Sequence, residues 1–321
     1  MRACITGGAG FIGGALAGRL LAEGVSVQIL ARPSARANQI EAAGATVVRG
    51  DLEDSEAVKK AIAGADVVYH AAAKVEGPWT EKQFMETNVG GTQSVLEACL
   101  QLGIPRIVYL SSVAVYGPVA DGQRIDEETP FDDVPQERDF YAQSKIAADQ
   151  LVMEFARKTG TAVTILRPGI VFGPGRALPL GLLAARLGKL AIVCGDRRQR
   201  IPLSYVENLV DAIELVGSAA PPGLREYIVV DDDDLTLGQY HSVRGRAQHG
   251  WTVFVPARIV VMAASSGLVP AKSGAFSKRQ VLRATQDRRY DTKRIREELG
   301  WAPKVGLKEA IERTIGASGG F

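Results

Sequence analysis

The sequence predicts an α/β protein built on a doubly wound parallel sheet, and three observations support this. A glycine-rich turn at residues 6–13 (TGGAGFIG) lies between an apolar run at 3–5 and a helical pattern at 15–22. Short β-branched runs then alternate with helical segments as far as residue 110. The 321 residues are 46% hydrophobic and 23% charged, which is typical of a globular protein with a sizeable core.

Each strand-like run in the first half is followed by a segment with helix start and stop signals. Gly44, Gly64 and Gly103 are expected to end three helices, and Ser55 is expected to cap one of them. Parallel strands joined by helical crossovers are buried between two helix layers. Strands are predicted at 25–30, 46–49, 66–70 and 106–110, and helices at 35–43, 55–63 and 82–102.

The glycine-rich turn carries the first functional signal. Gly7, Gly10 and Gly13 let the backbone turn sharply and approach a ligand closely, because they have no Cβ. The helix that follows directs N–H groups and its positive dipole end at the turn, which suits a pyrophosphate. The strand before the turn and the helix after it favour a dinucleotide site over a tight turn without a ligand.

The end of the second strand bears on the choice of dinucleotide. An acidic residue there would bond the ribose 2′-hydroxyl and favour NAD. This chain has Ala31 and Arg32 instead, with Arg36 a turn later, and a guanidinium suits a 2′-phosphate. We therefore favour NADP over NAD, although both arginines are also compatible with exposed loop cations. Asp51 is a candidate acceptor for the adenine amino group or, equally, a turn aspartate.

A tyrosine and a lysine four residues apart form the candidate catalytic pair. Tyr141 and Lys145 open a predicted helix that extends to about residue 157, and residues at this spacing lie on one helix face. An adjacent ammonium favours the phenolate, so we expect the pKa of Tyr141 to be lowered toward neutrality. Ser111 and Ser112 follow the fifth strand, at the sheet edge where ligands bind. A hydroxyl there is placed to hold a substrate oxygen beside Tyr141.

The second half of the chain is less regular. Helices are expected at 178–187, 207–216, 292–299 and 307–315, and a strand at 227–230. The last two helices are expected to pack as a small lid. We therefore divide the chain into a dinucleotide-binding region at 1–170, to which the chain returns near 201–230, and a mainly substrate-binding region at 171–321.

Composition argues against several other classes of protein. The formal net charge of +2 gives no reason to expect a nucleic-acid or membrane partner. Cys4, Cys99 and Cys194 are far apart and are expected to be reduced and buried. The three histidines show no metal-ligand spacing, so no metal is expected. The sequence enters a strand directly without a leader pattern, which favours a cytoplasmic enzyme.

The chain resembles the extended short-chain dehydrogenase/reductase family, the Rossmann-fold epimerases, dehydratases and hydroxysteroid- or dihydroflavonol-type reductases that use NAD or NADP. The resemblance covers essentially the whole chain. It is carried by residues 6–13 (TGGAGFIG), 51–52 (DL), 70–73 (HAAA), 88–92 (NVGGT), 111–117 (SSVAVYG), 141–145 (YAQSK), 167–174 (RPGIVFGP), 205–208 (YVEN) and 299–301 (LGW).

The resemblance implies roles for individual residues. Tyr141 would be the general acid/base, Ser112 would polarise the substrate oxygen, and Lys145 would bind the nicotinamide ribose. Asn88 would lie next to the site, although it also fits a helix-start polar residue. With the residues argued above, the candidate set is Asn88, Ser112, Tyr141 and Lys145 for catalysis; Gly7, Gly10, Phe11, Ile12, Gly13, Arg32, Arg36, Asp51, Leu52, Ala71, Ala72, Ala73, Tyr141, Lys145, Pro168 and Gly169 for the cofactor; and Ser112, Val113, Tyr141 and Arg200 for a small-molecule substrate.

Two of these assignments have equally simple structural readings. Pro168 and Gly169 would flank the nicotinamide or merely form a strand-ending turn. Arg200 would bind a substrate anion or merely be an exposed loop arginine. Family members are often dimers through the helices that contain Asn88 and Tyr141, which leaves a homodimer as an expectation.

Three functions remain open. The first is an oxidoreductase that transfers hydride between nicotinamide C4 and a secondary alcohol or ketone. The second is a nucleotide-sugar epimerase or dehydratase that regenerates NAD in place. Gly169-Ile170 weakens the second, because such epimerases often carry asparagine just after the corresponding Arg-Pro pair. The third is a non-catalytic dinucleotide sensor, which would not need Ser112, Tyr141 and Lys145 together.

Overall fold

A computed structural model describes residues 1–75, 77–120, 123–176, 178–179, 184–231, 235–248, 250–265, 281 and 285–318. The largest sheet within those ranges has seven parallel strands in the order β3-β2-β1-β4-β5-β7-β12. Strand order reverses between β1 and β4, so their carboxyl ends open the crevice where such sheets bind ligands. These strands are β1 (Arg2–Thr6), β2 (Ser26–Ala31), β3 (Thr46–Arg49), β4 (Val67–His70), β5 (Arg106–Leu110), β7 (Ala162–Pro168) and β12 (Leu224–Val229).

Helices cover both faces of this sheet. Helices α1, α7, α10 and α11 share one buried cluster, and α3, α5 and α6 share another. The helices are α1 (Phe11–Ala22), α2 (Ala35–Ala42), α3 (Ser55–Ile62), α4 (Glu81–Met85), α5 (Gly91–Gln101), α6 (Phe140–Thr159), α7 (Val206–Ala219), α8 (Leu237–Gln248), α9 (Ala257–Ser265), α10 (Lys293–Leu299) and α11 (Leu307–Ser318).

Small sheets are built from the remaining strands that the structure describes. Strands β6 and β14 pair, β8 pairs β11, and β10 lies between β9 and β13. Their bounds are β6 (Arg124–Ile125), β8 (Ile170–Phe172), β9 (Ala184–Leu187), β10 (Leu190–Cys194), β11 (Leu203–Tyr205), β13 (Trp251–Val255) and β14 (Arg289–Tyr290).

Strand β4 shows why the central strands are continuously apolar. Val67 and Tyr69 pack into the cluster that contains α1, whereas Val68 packs into the cluster that contains α3. Successive side chains point to opposite faces of a strand, so a sheet covered on both faces needs apolar residues at every position. The predicted doubly wound fold is confirmed.

Two local features of the first half differ from the prediction. Asp54, not Ser55, caps α3, since its Oδ1 accepts hydrogen bonds from the backbone of Glu56 and Ala57 at 3.1 and 3.0 Å. The helix predicted over 82–102 is interrupted by a π-helical turn at Glu86–Gly90. That turn contains Asn88, and π-turns are frequent at functional sites.

The second half of the chain differs more from the sequence prediction than the first half does. Residues 184–187 form strand β9 and not the end of a helix, and residues 180–183 lie outside the described ranges. A segment of four residues (AARL) is too short for its pattern to distinguish a strand from a helix. Helices α10 and α11 are not a lid: Ile295, Leu307 and Ile311 are buried in the same cluster as α1.

Asn208 of α7 forms hydrogen bonds with the segment that precedes α11. Its side chain donates to the Val305 carbonyl at 2.8 Å and accepts from the backbone N–H groups of Lys304 and Val305 at 3.1 and 3.0 Å. The Trp301 indole donates to the Asn208 carbonyl at 3.2 Å. The C-terminal helices are therefore fixed to the core.

The cysteines are free thiols, and Cys4 and Cys99 are buried as expected. Cys194 is only partly buried, which corrects the expectation for that residue. No helix in the described ranges has both the length and the apolar character needed to cross a bilayer.

Candidate active site

The glycine turn has the geometry that the sequence predicts. Gly7 has a φ of +69°, a conformation that L side chains rarely adopt. A Cβ on Gly13 would lie 2.3 Å from the Gly7 carbonyl oxygen, and a Cβ on Gly7 would lie 2.7 Å from the Ala72 Cα. Gly10 begins α1 without a side-chain cap. The turn is therefore a close-packed backbone cradle at a helix N-terminus, which fits a dinucleotide pyrophosphate.

Phe11 and Ile12 open α1 and are partly buried against the core beside this cradle. The guanidinium of Arg176 lies 5.6 Å from the centre of the Phe11 ring. Burial raises the pKa of Tyr141, and the positive charge of Arg176 is one of the smaller influences that oppose this rise. Sequence reasoning missed this arginine; the signal available was a basic residue directly after the Gly-Pro-Gly turn that ends the strand motif at 167–174.

The two arginines near the end of β2 occupy different positions. The Arg36 guanidinium is packed against Gly14, since a Cβ built there would lie 2.8 Å from its Nε and Nη2 atoms. Arg32 is exposed, and its Nε lies 3.8 Å from the Asp51 Oδ2. The other Asp51 oxygen accepts from the Leu52 N–H at 2.7 Å. Arg36 is therefore close to the cofactor cradle, whereas Arg32 has a carboxylate beside it.

Leu52 is buried and packs against α5, where a Cβ on Gly91 would lie 2.7 Å from the Leu52 Cβ. Leu52 is therefore a core residue in this structure, and its contact with the cofactor stays a prediction.

His70 connects the cradle to the π-turn through a chain of hydrogen bonds. The Thr92 hydroxyl donates to the Asn88 carbonyl at 2.6 Å, so its oxygen accepts from His70 Nε2 at 2.9 Å. His70 Nδ1 then accepts from the Thr6 hydroxyl at 2.7 Å. Burial lowers the pKa of His70 to about 3, so the imidazole is neutral. A neutral ring with one donor and one acceptor satisfies both neighbours.

Asn88 fixes the loop that follows β4. Its Oδ1 accepts from the Lys74 N–H at 2.7 Å, and its Nδ2 donates to the Lys74 carbonyl and to Ser144 Oγ, both at 2.9 Å. This loop carries Ala71, Ala72 and Ala73, which are partly exposed beside the cradle. Asn88 therefore holds the loop against α6 with all three of these hydrogen bonds.

The structure brings Ser112 and Tyr141 together. Ser112 follows β5, and its Oγ accepts from the Ala114 N–H at 3.1 Å. Tyr141 lies in the first turn of α6, which Asp139 caps by accepting from the Ala142 N–H at 2.9 Å. Burial raises the pKa of Tyr141 to about 12, and a hydrogen bond with the Ser112 side chain lowers it only in part. Val113, next to Ser112, is buried.

Lys145 lies one turn beyond Tyr141, but its ammonium group is hydrogen-bonded to the end of β5. Its Nζ donates to the Leu110 carbonyl at 2.7 Å and to the Tyr109 hydroxyl at 3.3 Å. Burial lowers the pKa of Lys145 to about 8. The expectation that this ammonium lowers the pKa of Tyr141 is wrong for this arrangement. Helical spacing places two residues on one face, but the strand behind them decides where a lysine side chain points.

A buried ion pair joins β7 to α6, the helix that carries the candidate catalytic residues Tyr141 and Lys145. Arg167 donates from Nε to Asp149 Oδ2 at 2.9 Å, from Nη1 to the Tyr116 hydroxyl at 3.0 Å, and from Nη2 to Glu226 Oε2 at 2.7 Å. Burial raises the pKa of Asp149, and the Arg167 guanidinium and the Ser111 hydroxyl oppose this rise. Asp149 follows Tyr141 and Lys145 at intervals of four residues on α6, so it continues their helix face.

Two further predicted regions have well-defined partners. Gly169 follows Pro168 at the end of β7, donates its N–H to Ser204 Oγ at 2.9 Å, and has no room for a Cβ, which would lie 2.4 Å from the Pro202 carbonyl oxygen. Arg200 donates to Asp287 from its backbone N–H at 2.8 Å and from Nη1 at 2.9 Å. A substrate anion would have to compete with that carboxylate, so the role of Arg200 stays a prediction.

Known proteins share both the sequence pattern and the fold. The model of the NAD dependent epimerase/dehydratase family matches residues 3–228. The chain is 30% identical to a 4-hydroxy-2-methyl-3-oxo-4-farnesyl-3,4-dihydroquinoline-1-oxide ketoreductase of Stigmatella aurantiaca, over 99% of this chain and 98% of that protein. It is 32% identical to a 2-alkyl-3-oxoalkanoate reductase of Shewanella oneidensis over 74% of this chain, but this match spans only 63% of that reductase.

Among solved structures, the dTDP-glucose 4,6-dehydratase DesIV of Streptomyces venezuelae, described with NAD and TYD bound, superposes with a TM-score of 0.78. The match covers 99% of this chain and 96% of DesIV at 23% identity, which supports the fold. The chain belongs to the NAD-dependent epimerase/dehydratase family, within the extended short-chain dehydrogenases/reductases.

Proposed function

We propose that the chain transfers hydride between C4 of a nicotinamide and a secondary alcohol or ketone, with Tyr141 as the general acid/base. The observation that carries this proposal is the pairing of the Tyr141 phenol with the Ser112 hydroxyl at the carboxyl edge of the sheet. When bound, the nicotinamide supplies the hydride donor or acceptor. The backbone cradle at Gly7, Gly10 and Gly13 would hold the pyrophosphate.

The protonation state of Tyr141 favours reduction of a ketone. With a pKa of about 12, the phenol keeps its proton at neutral pH. A ketone oxygen gains negative charge as its carbon is reduced, and a positioned acid is needed to neutralise that charge. Ser112 would hold the same oxygen. Oxidation of an alcohol would instead need the phenolate, so its rate should rise with pH.

Lys145 and Asn88 would position the cofactor and the loop that lies beside it. Lys145 is mostly protonated at neutral pH, with a pKa of about 8, and it is held by the Leu110 carbonyl and the Tyr109 hydroxyl. By resemblance, we assign its ammonium to the nicotinamide ribose. Asn88 would keep the loop with Ala71, Ala72 and Ala73 along the cofactor path.

NADP is our favoured dinucleotide. The position of Arg36 against Gly14 supports a 2′-phosphate contact near the start of α1. The carboxylate of Asp51 beside Arg32 weakens the case for Arg32 and fits a contact with adenine or ribose. Pro168 and Gly169 would flank the nicotinamide at the end of β7.

A hydrophobic ketone is the proposed substrate class. The Stigmatella relative is named for a farnesylated dihydroquinoline oxide and the Shewanella relative for a 2-alkyl-3-oxoalkanoate, both of which carry an oxo group on an apolar skeleton. Residues 171–321 would supply most of the substrate pocket, and Arg200 would bind a carboxylate if Asp287 releases it. We further propose a cytoplasmic homodimer assembled through the helices that contain Asn88 and Tyr141.

The test is NADPH oxidation, followed at 340 nm, with a series of 2-alkyl-3-oxoalkanoates of increasing chain length. We expect NADPH-dependent turnover with a KM that falls as the alkyl chain grows, because more apolar surface is buried. Loss of turnover in the Ser112→Ala variant, with NADPH binding retained, would connect that activity to the proposed site.

The epimerase or dehydratase alternative predicts a different state of the purified protein. Such an enzyme regenerates NAD in place, so acid denaturation should release about one equivalent of NAD for each chain. Release of stoichiometric NAD, with no oxidation of added NADPH, would replace our proposal by that alternative.

A further inference from the structure

The β9–β10–β13 sheet has an apolar outer face. In register across the three strands, Leu187 pairs with Leu190, which pairs with Trp251. The next outward row is Ala185, Ile192 and Val253. The alternate residues of β10, Ala191 and Val193, are buried. Within the part of the chain that the structure describes, the inner row is covered and includes the polar Thr252, whereas the outward rows carry apolar side chains.

Exposure of this outer face is extensive. Trp251 is 76% exposed, Leu187 73%, Val253 50% and Ile192 37%. A sheet with one face in water normally alternates apolar and polar residues, which this sheet does not do. Contiguous exposed apolar patches mark interaction surfaces. We call Leu187, Ile192, Trp251 and Val253 the apolar face.

Basic residues accompany the apolar face. Lys189 is exposed at the turn between β9 and β10, and its carbonyl accepts from the Trp251 N–H at 2.9 Å. Helix α9 follows β13 and exposes Ile259 and Met262, with Arg258 one turn before Met262. Exposed apolar side chains are thus interleaved with cations on neighbouring elements.

The sequence around these elements is strongly asymmetric in charge. Residues 235–286 contain no aspartate or glutamate. Because the whole chain has a net charge of only +2, the remainder is net acidic. The whole-chain charge, on which the expectation of no membrane contact depends, hides this asymmetry. The basic residues of 235–286 are Arg244, Arg246, Arg258, Lys272, Lys278, Arg279 and Arg283.

We propose that the apolar face docks on an anionic phospholipid membrane surface. Exposed apolar side chains enter the headgroup region, and tryptophan is favoured there, while nearby lysine and arginine attract anionic lipids. A second copy of the chain is the weaker candidate occupant, because a symmetric contact would bring together two identical surfaces that each expose Lys189 and Arg258. The protein would lie on the membrane without crossing it.

The test is co-sedimentation of the full-length chain with vesicles of 3:1 phosphatidylcholine and phosphatidylglycerol, and with phosphatidylcholine vesicles alone. We expect binding to the anionic vesicles, weakened by 0.5 M salt because the charge attraction is screened. The Trp251→Ser/Val253→Ser double variant should bind on the order of tenfold more weakly, because it removes interfacial apolar area. Leu100→Ser, which removes an exposed apolar residue of α5, is the matched control and should bind like the parent.

Either of two results would overturn this proposal. One is a parent protein that stays in the supernatant with anionic vesicles at low salt. The other is a double variant that binds these vesicles as well as the parent does. If the parent does not bind but forms a dimer that the double variant converts to a monomer, measured by light scattering, the face belongs to a contact with another copy of the chain.

Discussion

The central sheet and the β9–β10–β13 sheet are built from similarly apolar strands, but they are covered differently. In β4, Val67, Val68 and Tyr69 are all buried, because helices lie on both faces. In β10, Ala191 and Val193 are buried while Ile192 is more than one-third exposed. An apolar strand therefore predicts that something covers it, but not whether that cover belongs to the same chain.

The two sheets also differ in where polar groups are buried. The carboxyl edge of the central sheet holds His70, Arg167 and, across from it on α6, Lys145 and Asp149, each hydrogen-bonded inside the fold. The outer face of the small sheet instead exposes the apolar side chains of Leu187, Ile192, Trp251 and Val253. We propose that the reaction takes place at the carboxyl edge of the central sheet and that the outer face of the small sheet binds a membrane.

The largest expected effect on stability comes from the buried ion pair between Arg167 of β7 and Asp149 of α6. Arg167→Met should lower the free energy of unfolding by about 3–5 kcal/mol, because it leaves Asp149 buried without its cation. Urea unfolding at pH 7 measures this change. The Arg167→Met/Asp149→Leu double variant should recover much of the loss. A single variant as stable as the parent would contradict the assigned pairing.

A matched pair of substitutions tests directly whether a valine in the central sheet is buried and a valine on the outer face of the small sheet is exposed. Val68→Ser should cost about 3 kcal/mol, because it removes buried apolar surface and buries a hydroxyl. Val253→Ser should change stability by less than about 0.5 kcal/mol, since the side chain is half exposed. Urea midpoints of the two variants give the comparison. A large loss in Val253→Ser would mean that the outer face is covered within the chain.

The neutral histidine of the central sheet predicts a pH dependence. The pKa of His70 is about 3 in the folded chain, against an ordinary value of 6.5, so the unfolded chain binds the extra proton between those values. Stability should therefore fall as pH drops from 6.5 toward 4, by up to about 1.4 kcal/mol per pH unit from this group.

The control for this prediction is the His70→Gln variant, which cannot titrate in that range. Its free energy of unfolding should change with pH less steeply than that of the parent between pH 6.5 and 4. Parallel pH profiles for the two proteins would show that His70 is protonated in the fold or that another group dominates the slope.

The smallest effect concerns the dinucleotide. Arg36→Ala should raise the KM for NADPH by roughly 10- to 100-fold, the loss of a charge-assisted hydrogen bond, and leave the KM for NADH nearly unchanged. Arg32→Ala should have the weaker effect, since Asp51 lies beside Arg32. Equal changes for NADPH and NADH in Arg36→Ala would remove the 2′-phosphate assignment.

What the sequence predicted well is what short segments encode. The turn at Gly7, Gly10 and Gly13 requires residues without a Cβ, and that requirement is visible in a single stretch. The alternation of strands and helices up to residue 110 is likewise local, and so is the position of Tyr141 at the start of a helix.

What it missed depends on contacts between distant segments. The direction of Lys145 is decided by Tyr109 and the Leu110 carbonyl of β5, and burial raises the pKa of Tyr141 in place of the expected lowering. Strand β9 is a four-residue segment (AARL) that becomes a strand only by pairing with β10. Arg176 reaches Phe11 from a loop more than 160 residues away in the sequence.

The most direct test of the proposed chemistry is the Tyr141→Phe variant, with NADPH affinity measured by fluorescence titration and turnover by NADPH oxidation. The substitution removes only the hydroxyl that would donate the proton. We expect kcat to fall by roughly 10²–10⁴-fold, the usual contribution of a general acid, while the Kd for NADPH stays within about twofold of the parent value. A variant that keeps kcat within a few-fold of the parent would contradict the assignment of Tyr141 as the acid.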